Sequence, residues 1–183
     1  MVSASTIWII IAVVVVLFVV YIYNSLIKLR VRMKNALAQI DVQLKRRYDL
    51  IPNLVKTVKG YVKHEKTVLE NVTKMRSSLV SGSLEDRTKA SDGLTKALKS
   101  IFAVAENYPQ LKANENFKLL QEELAGTESK IAYSRQFYND SVMKLNEAIQ
   151  VFPKNLFAKM FGFKKEDYFK TSGKEKEPVN VEF

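Results

Sequence analysis

The sequence predicts an all-α protein in which an N-terminal transmembrane helix continues into an antiparallel four-helix bundle. Three observations predict this fold. An uncharged apolar stretch begins the chain, and apolar residues recur at helical spacing after it. Only six of the 183 residues are glycine and four are proline, which disfavours a turn-rich β protein. We find no strand pattern and no internal repeat in the sequence.

The first predicted element is the transmembrane helix. Thr6 to Tyr23 contains no charged, amide or proline residue. Extension to Ile27 gives a length of about 33 Å, enough to cross a hydrocarbon core of about 30 Å. A cleaved signal peptide is the alternative, but it would need a basic start, a shorter apolar run and a small-residue cleavage site. We therefore predict residues 1–5 as a short external end and residues 6–27 as a retained anchor.

The net charge of +10 is concentrated just after this anchor. Asn24 to Lys66 holds 11 basic and 3 acidic residues, a net of +8. The positive-inside rule places the N-terminus outside the cell and residues 28–152 in the cytoplasm. Each basic residue beside an anionic leaflet contributes about 1 kcal/mol of attraction to that leaflet. We therefore predict that the partner is an anionic lipid bilayer and that the protein binds no nucleic acid. The predicted lipid-surface residues are Lys28, Arg30, Arg32 and Lys34.

The apolar periodicity continues beyond the anchor and predicts the first helix of the bundle. Apolar residues from Leu26 to Val62 recur every three or four positions, the near-heptad spacing typical of a coiled coil. Pro52 lacks the amide hydrogen that a helix interior uses, so we predict a kink there. Gly60 marks the predicted end of this helix.

Three further helices are predicted after this one. The second is expected over about 62–79, before a Ser-Gly-Ser turn. Ser83, followed by two acidic residues, predicts the start of the third helix, which ends at Pro109. A loop then leads to a fourth helix that begins near Asn114 and stops at Pro153.

The C-terminal part divides into an aromatic and basic segment, residues 153–170, and a polar tail, residues 171–183, expected to be disordered. The aromatic segment either packs back on the bundle as a cap or forms a membrane or subunit contact, where aromatic and basic residues act together. The residues predicted to make this contact are Phe157, Phe161, Phe163, Tyr168 and Phe169.

The sequence lacks the residue patterns of common active sites. It contains no cysteine, which excludes disulfides, thiolate metal sites and cysteine nucleophiles. His64 is its only histidine, and the residue three before it is Tyr61 rather than the glutamate of a helical di-metal site. No glycine-rich phosphate motif is present. We therefore predict no catalytic, cofactor-binding or metal site, and a protein that is not an enzyme.

One long motif resembles the LemA family. It is QIDVQLKRRYDLIPNLVKTVKGYVKHEK, Gln39 to Lys66, supported by Tyr23 to Gln39 upstream and Tyr138 to Phe169 near the C-terminus. Residues 82–114 are the least distinctive. The resemblance implies a small bacterial membrane protein with one anchor and a helical bundle. A relative among magnetosome proteins implies a role in shaping membranes, and no activity, substrate or cofactor comes with the family.

The polar residues of this motif have two possible roles. They either tie the first helix to its neighbours inside the bundle or form a contact surface for self-assembly. The residues concerned are Arg46, Arg47, Tyr48, Asp49, Pro52 and Asn53.

Two hypotheses for function follow from the sequence. The first is a membrane-anchored, non-enzymatic scaffold that forms homo-oligomers and organises or remodels the membrane. The second is a membrane-bound adaptor that recruits or regulates another membrane protein, such as a protease.

Overall fold

The computed structural model describes residues 3–62, 66–77 and 83–169, and these residues form helices without any strand. The predicted all-α class is confirmed. His64, the Ser81–Gly82 part of the predicted turn and the polar tail lie outside the described residues. The helices are α1 (Ala4–Lys59), α2 (Lys66–Ser77), α3 (Leu84–Glu106), α4 (Pro109–Ala113), α5 (Glu115–Ala148) and α6 (Lys154–Met160).

Helix α1 continues without interruption beyond the apolar stretch, as predicted. Pro52 lies inside it, and two lysines occupy its last turn, where their charge complements the helix dipole. Beyond residue 40 its buried face follows a strict alternation of four and three residues. That face consists of Ile40, Leu44, Arg47, Ile51, Leu54 and Val58.

Helix α3 begins where the sequence predicts. The Ser83 side chain accepts a hydrogen bond from the Asp86 amide, and the Asp86 carboxylate accepts one from the Ser83 amide. This capping box satisfies two amides that the first turn of a helix leaves unpaired. Acidic side chains in that turn also complement the helix dipole.

The prediction of a loop after α3 is wrong in part. The third helix ends at Glu106, but Pro109 begins the short helix α4 rather than remaining in a loop. Proline suits the first position of a helix because its missing N–H would be unpaired there in any case. Asn114 then accepts a hydrogen bond from the Phe117 amide and so begins α5.

The chain divides into two compact units. The described part of the first contains residues 3–38 and 136–168, and that of the second contains residues 39–135 and Phe169. Within the second unit α1 and α3 run in the same direction, since Asp41 contacts Arg87 and Arg47 contacts Thr95.

Helix α5 runs opposite to both of these helices. Arg47 of α1 pairs with Glu128, while Tyr61, just after α1, accepts a hydrogen bond from Asn114, just before α5. Helix α2 packs on α1 through Arg76 and Tyr48. The four helices that the sequence predicts in this region are therefore all present, and α5 runs antiparallel to α1 and α3.

Candidate functional site

The N-terminal part of α1 exposes an apolar surface on all sides. Residues 3–21 are exposed except for the half-buried Val19. Ala4 to Tyr21 measures about 27 Å along the helix, and α1 is long and apolar enough to cross a membrane. The first buried residue along α1 is Ile22, which is only 2% exposed. The surface available for contact with lipid is therefore greatest before this residue.

The predicted lipid-surface residues lie on α1, just after its apolar stretch. Lys28, Arg32 and Lys34 are exposed, and Arg30 is half-buried. The Arg30 guanidinium lies 4.0 Å from the centre of the Phe163 ring, and that of Arg32 lies 5.1 Å from the centre of the Phe137 ring. In the described part of the chain, neither arginine forms a salt bridge. Their charge therefore remains available to an anionic surface.

The aromatic segment of the C-terminal part packs along α1 in the first unit. The Phe157 ring meets the edge of Phe18, with ring centres 6.3 Å apart, and Phe161 meets Tyr23 at 4.9 Å. Phe163 is buried under Arg30. Three of the five predicted tail residues thus contact the same helix that carries the apolar stretch.

Two side chains of α5 hold this segment in place. The Asn146 amide donates to the Glu166 carbonyl and accepts from the Glu166 N–H, each at 2.9 Å. The Tyr138 hydroxyl donates to the Asp167 carbonyl at 3.0 Å. Burial raises the pKa of Tyr138, and the nearby charges of Glu166 and Asp167 raise it further. We call these two α5 residues, Tyr138 and Asn146, the tail clamp; no pattern in the sequence marks them as a pair.

The backbone turn between α6 and the residues that the clamp holds depends on a glycine. Gly162 has a φ of +69°, a left-handed conformation that side-chain-bearing residues rarely adopt. It lets the chain leave α6 and reach the position at which Phe163 becomes buried.

Arg47 is the centre of a buried polar network in the second unit. Its side chain is 1% exposed and pairs with Glu128 at 2.8 Å. It donates to the hydroxyls of Thr95, at 2.8 Å, and Ser91, at 3.5 Å. Burial lowers the pKa of Arg47, while the negative charge of Glu128 opposes that shift. A buried cation therefore joins α1 to both α3 and α5.

A second ion pair lies near this network. Arg135 of α5 pairs with Asp92 of α3 at 2.9 Å, and both side chains are largely buried. The Arg135 guanidinium also lies 4.6 Å from the centre of the buried Phe169 ring. Phe169, a fourth predicted tail residue, therefore packs within the second unit. Tyr168, the fifth, is exposed.

The other residues of the polar motif lie at or near the surface. Arg46 pairs with Glu123, and Asp49 pairs with Lys45 of the same helix. The half-buried Tyr48 ring lies 3.8 Å from the Arg76 guanidinium. Pro52 and Asn53 are exposed. The structure thus puts Arg47 among buried residues and Asp49, Pro52 and Asn53 on the exposed side of the same motif.

Two observations on the described residues concern metal ions and small molecules. Within residues 3–62, 66–77 and 83–169, no group of three or more histidine, cysteine or acidic residues could hold a metal ion. A shallow depression beside Arg46 and Lys130 has a volume of about 170 Å³, whereas ligand pockets usually measure about 300–1,000 Å³.

Comparison with known proteins points to one family. The family model described as "LemA family" matches residues 36–183. Magnetosome protein MamQ of Magnetospirillum gryphiswaldense is 24% identical over 174 aligned residues, which cover 80% of this chain and 64% of that protein. Magnetosome proteins MamQ 1 and MamQ 2 of Paramagnetospirillum magneticum are each 25% identical with the same coverage. The chain therefore spans about two thirds of the length of these relatives, or slightly less.

Proposed function

The chain belongs to the LemA family, and from that premise we propose that it is a membrane-anchored, non-enzymatic scaffold that self-associates and organises or remodels the bilayer. The single observation that carries this proposal is the continuity of α1. One helix contains both the exposed apolar stretch and the buried face around which the second unit packs. Copies anchored in one bilayer would therefore present their bundles close to the same surface.

The proposed orientation follows the charges beside the anchor. Lys28, Arg30, Arg32 and Lys34 follow the apolar stretch closely, and residues 3–27 contain no charged side chain. The positive-inside rule then favours an external N-terminus and a cytoplasmic domain. In a chain without native cysteine, Ser3→Cys should react with an impermeant maleimide in intact cells, and Ser129→Cys only after the cells are opened. The reverse pattern would contradict this orientation.

The proposed self-association uses the outer face of the polar motif. Asp49, Pro52 and Asn53 are exposed on α1, and Val42 on the same helix is 63% exposed. The spacing of these residues places them along one side of the helix. A face that pairs with its own copy across a two-fold axis gives a closed dimer, and a face that pairs with a different patch gives rings or filaments.

The absence of native cysteine makes this proposal directly testable. Asn53→Cys and the matched control Ser129→Cys both place one thiol at an exposed helix position. After oxidation in anionic liposomes, we expect a disulfide-linked dimer from the thiol at position 53 and little from the one at position 129. Electron microscopy of the same liposomes should show protein assemblies or altered curvature.

Two results would count against the scaffold. The first is a strict monomer in mild detergent together with no cross-linking through position 53. The second is unchanged liposome shape at every protein density. Cross-linking in cells that joins position 53 to a different membrane protein, without self-association, would instead support the adaptor hypothesis.

A further inference from the structure

The α6 segment, defined as residues 151–161, lies beside the apolar part of α1. Phe157 contacts Phe18, and Phe161 contacts Tyr23. Because an α-helix rises 1.5 Å per residue, Phe18 lies about 7.5 Å along the axis from Tyr23, toward the centre of the apolar stretch. If α1 crosses a bilayer, the α6 segment therefore reaches into the lipid layer around its cytoplasmic end.

Three aromatic residues, Phe157, Phe161 and Phe163, contact α1 at successive positions. These contacts show in which direction the chain runs along α1. Phe157 contacts Phe18, and Phe163, further along the chain, contacts Arg30 at the basic region. The chain thus moves away from the apolar stretch as it passes from residue 157 to residue 163. Extended back along the chain, this direction carries the turn before α6 toward the membrane side, and Phe152 in that turn is exposed.

The α6 segment has an outer face that no described residue covers. Ala158 is buried, whereas Phe152, Leu156 and Met160 are 75%, 57% and 64% exposed. Leu156 and Met160 are spaced four apart in α6 and so project on one side of it, while Phe152 lies in the turn just before the helix. Large apolar side chains grouped on a surface usually mark a contact with protein or membrane.

The charges around this face favour lipid over a second copy of the chain. Residues 151–165 contain four lysines and no acidic residue. A second copy would bring the same positive charges to the contact, whereas an anionic leaflet would neutralise them. Apolar residues on one side with lysines around them are typical of elements that lie in the membrane interface. The lysines are Lys154, Lys159, Lys164 and Lys165.

We propose that the α6 segment is a second membrane-contacting element, which inserts its outer face into the leaflet around the cytoplasmic end of the anchor. Its lysines bind the phosphate groups of anionic lipids at that surface. Interfacial helices enter a bilayer by about 5–10 Å, a range that includes the distance of about 7.5 Å along α1 between Tyr23 and Phe18. The inference rests on the anchoring in the proposed function and not on self-association.

Quenching of tryptophan fluorescence by lipids with brominated acyl chains tests this inference in the full chain. The native chain has one tryptophan, Trp8, in the apolar stretch, and its quenching reports whether the anchor is in the bilayer. The test variant combines Trp8→Phe with Phe152→Trp. The control combines Trp8→Phe with Tyr133→Trp, because Tyr133 is an aromatic residue with a similar exposure of 73% in the second unit.

In anionic liposomes we expect brominated lipids to quench the fluorescence of the tryptophan at position 152 about as strongly as that of Trp8. The fluorescence of the tryptophan at position 133 should decrease little. A variant that combines Trp8→Phe with Leu156→Trp should be quenched in the same way. Agreement between the two variants shows that the quenching does not come from a structural change caused by one substitution. Quenching of Trp8 without quenching at positions 152 and 156 would overturn this inference and leave the anchor intact. No quenching of Trp8 would overturn the anchoring as well. A blue-shifted but unquenched tryptophan at position 152 would show that protein covers this face, and would also overturn the inference.

Discussion

Arg30 and Arg47 lie on the same helix but in opposite surroundings. Arg47 is buried in the second unit, paired with Glu128 and bonded to two hydroxyl groups. Arg30 lies in the first unit against the Phe163 ring, and the described residues offer it no carboxylate partner. One arginine is therefore neutralised within the protein, while the other retains its charge beside the predicted membrane surface.

This difference shows how one helix can serve two purposes. Removing a cation from water costs several kcal/mol unless it is paired and hydrogen-bonded, so Arg47 requires the helices around it. An aromatic ring holds a guanidinium through its face and leaves the N–H groups of the cation free. The arginines near the anchor are thus held in position without losing their capacity to bind phosphate.

The largest expected effect breaks the buried side of the comparison. Arg47→Ala should lower the free energy of unfolding by about 2–5 kcal/mol, since it removes a large side chain that is almost fully buried. The neighbouring Arg46→Ala is the matched control: it removes an exposed pair and should cost about 1 kcal/mol or less. Urea unfolding of the full chain in mild detergent, followed by far-UV circular dichroism, measures both. Equal midpoints for the two variants would show that Arg47 does not hold the helices together.

The next effect concerns the tail clamp that keeps Phe163 under Arg30. Asn146→Ala removes both side-chain hydrogen bonds to Glu166 and should destabilise the segment by about 2 kcal/mol, because a buried polar group left unpaired costs about 1–3 kcal/mol. Hydrogen exchange of residues 163–169 should become faster. Gln136→Ala, at an exposed position of the same helix, should leave that exchange unchanged. Unchanged exchange in Asn146→Ala would mean that other contacts hold the segment.

Arg47 shows how far the spacing of residues can predict which face of α1 is buried. The apolar residues that recur every three or four positions from Leu26 to Val62 include Tyr48 and Val55, both of which are half-buried. The buried face instead passes through Arg47 and Leu54. Alternating spacings of four and three from Ile40 lead directly to Arg47, but arginine is almost never fully buried. Its residue type therefore concealed a position that the spacing alone indicates.

Local signals predicted other elements well, and long-range contacts could not be predicted. The start of α3 that Ser83 predicted is confirmed. It was predictable because the hydrogen bonds of the cap join residues within four positions of each other. The tail clamp joins α5 to residues 20 and 29 positions away through an amide and a phenol. Neither group has a distinctive spacing, so no short-range pattern indicates their partners. Helix α4 was missed because proline ends helices as well as beginning them.

A smaller effect tests the exposed side of the comparison. Arg30→Gln removes a cation–π contact worth about 1 kcal/mol and should lower the stability of the full chain in neutral detergent. Lys28→Gln removes the same charge from an exposed position and should not lower it. In anionic liposomes both variants should weaken attraction to the leaflet by about 1 kcal/mol each, measured by the salt needed to release anionic lipid from the protein. Equal stability of the two variants in detergent would exclude a structural role for the Phe163 contact.

The smallest effect is a dependence on alkaline pH in the first unit. Burial and two nearby carboxylates raise the pKa of Tyr138 in the folded protein. Its contribution to stability is therefore fully present below the pKa of an unfolded tyrosine, about 10, and is lost as the pH rises through the folded value. Hydrogen exchange of residues 163–169 should thus increase more steeply above that pH in the native chain than in Tyr138→Phe. Parallel curves for the two proteins would contradict this assignment.

The division of the chain into two units has a consequence for the order in which the protein is made. The first unit joins residues 3–38 to residues 136–168, while the residues between them belong to the second unit. At about 5–20 residues per second, the ribosome needs roughly 5–20 s to synthesise the intervening stretch. The apolar helix can enter the bilayer during that interval, long before its C-terminal partner exists. We therefore expect the second unit to begin folding first, and the aromatic segment to reach the anchor when that helix is already surrounded by lipid.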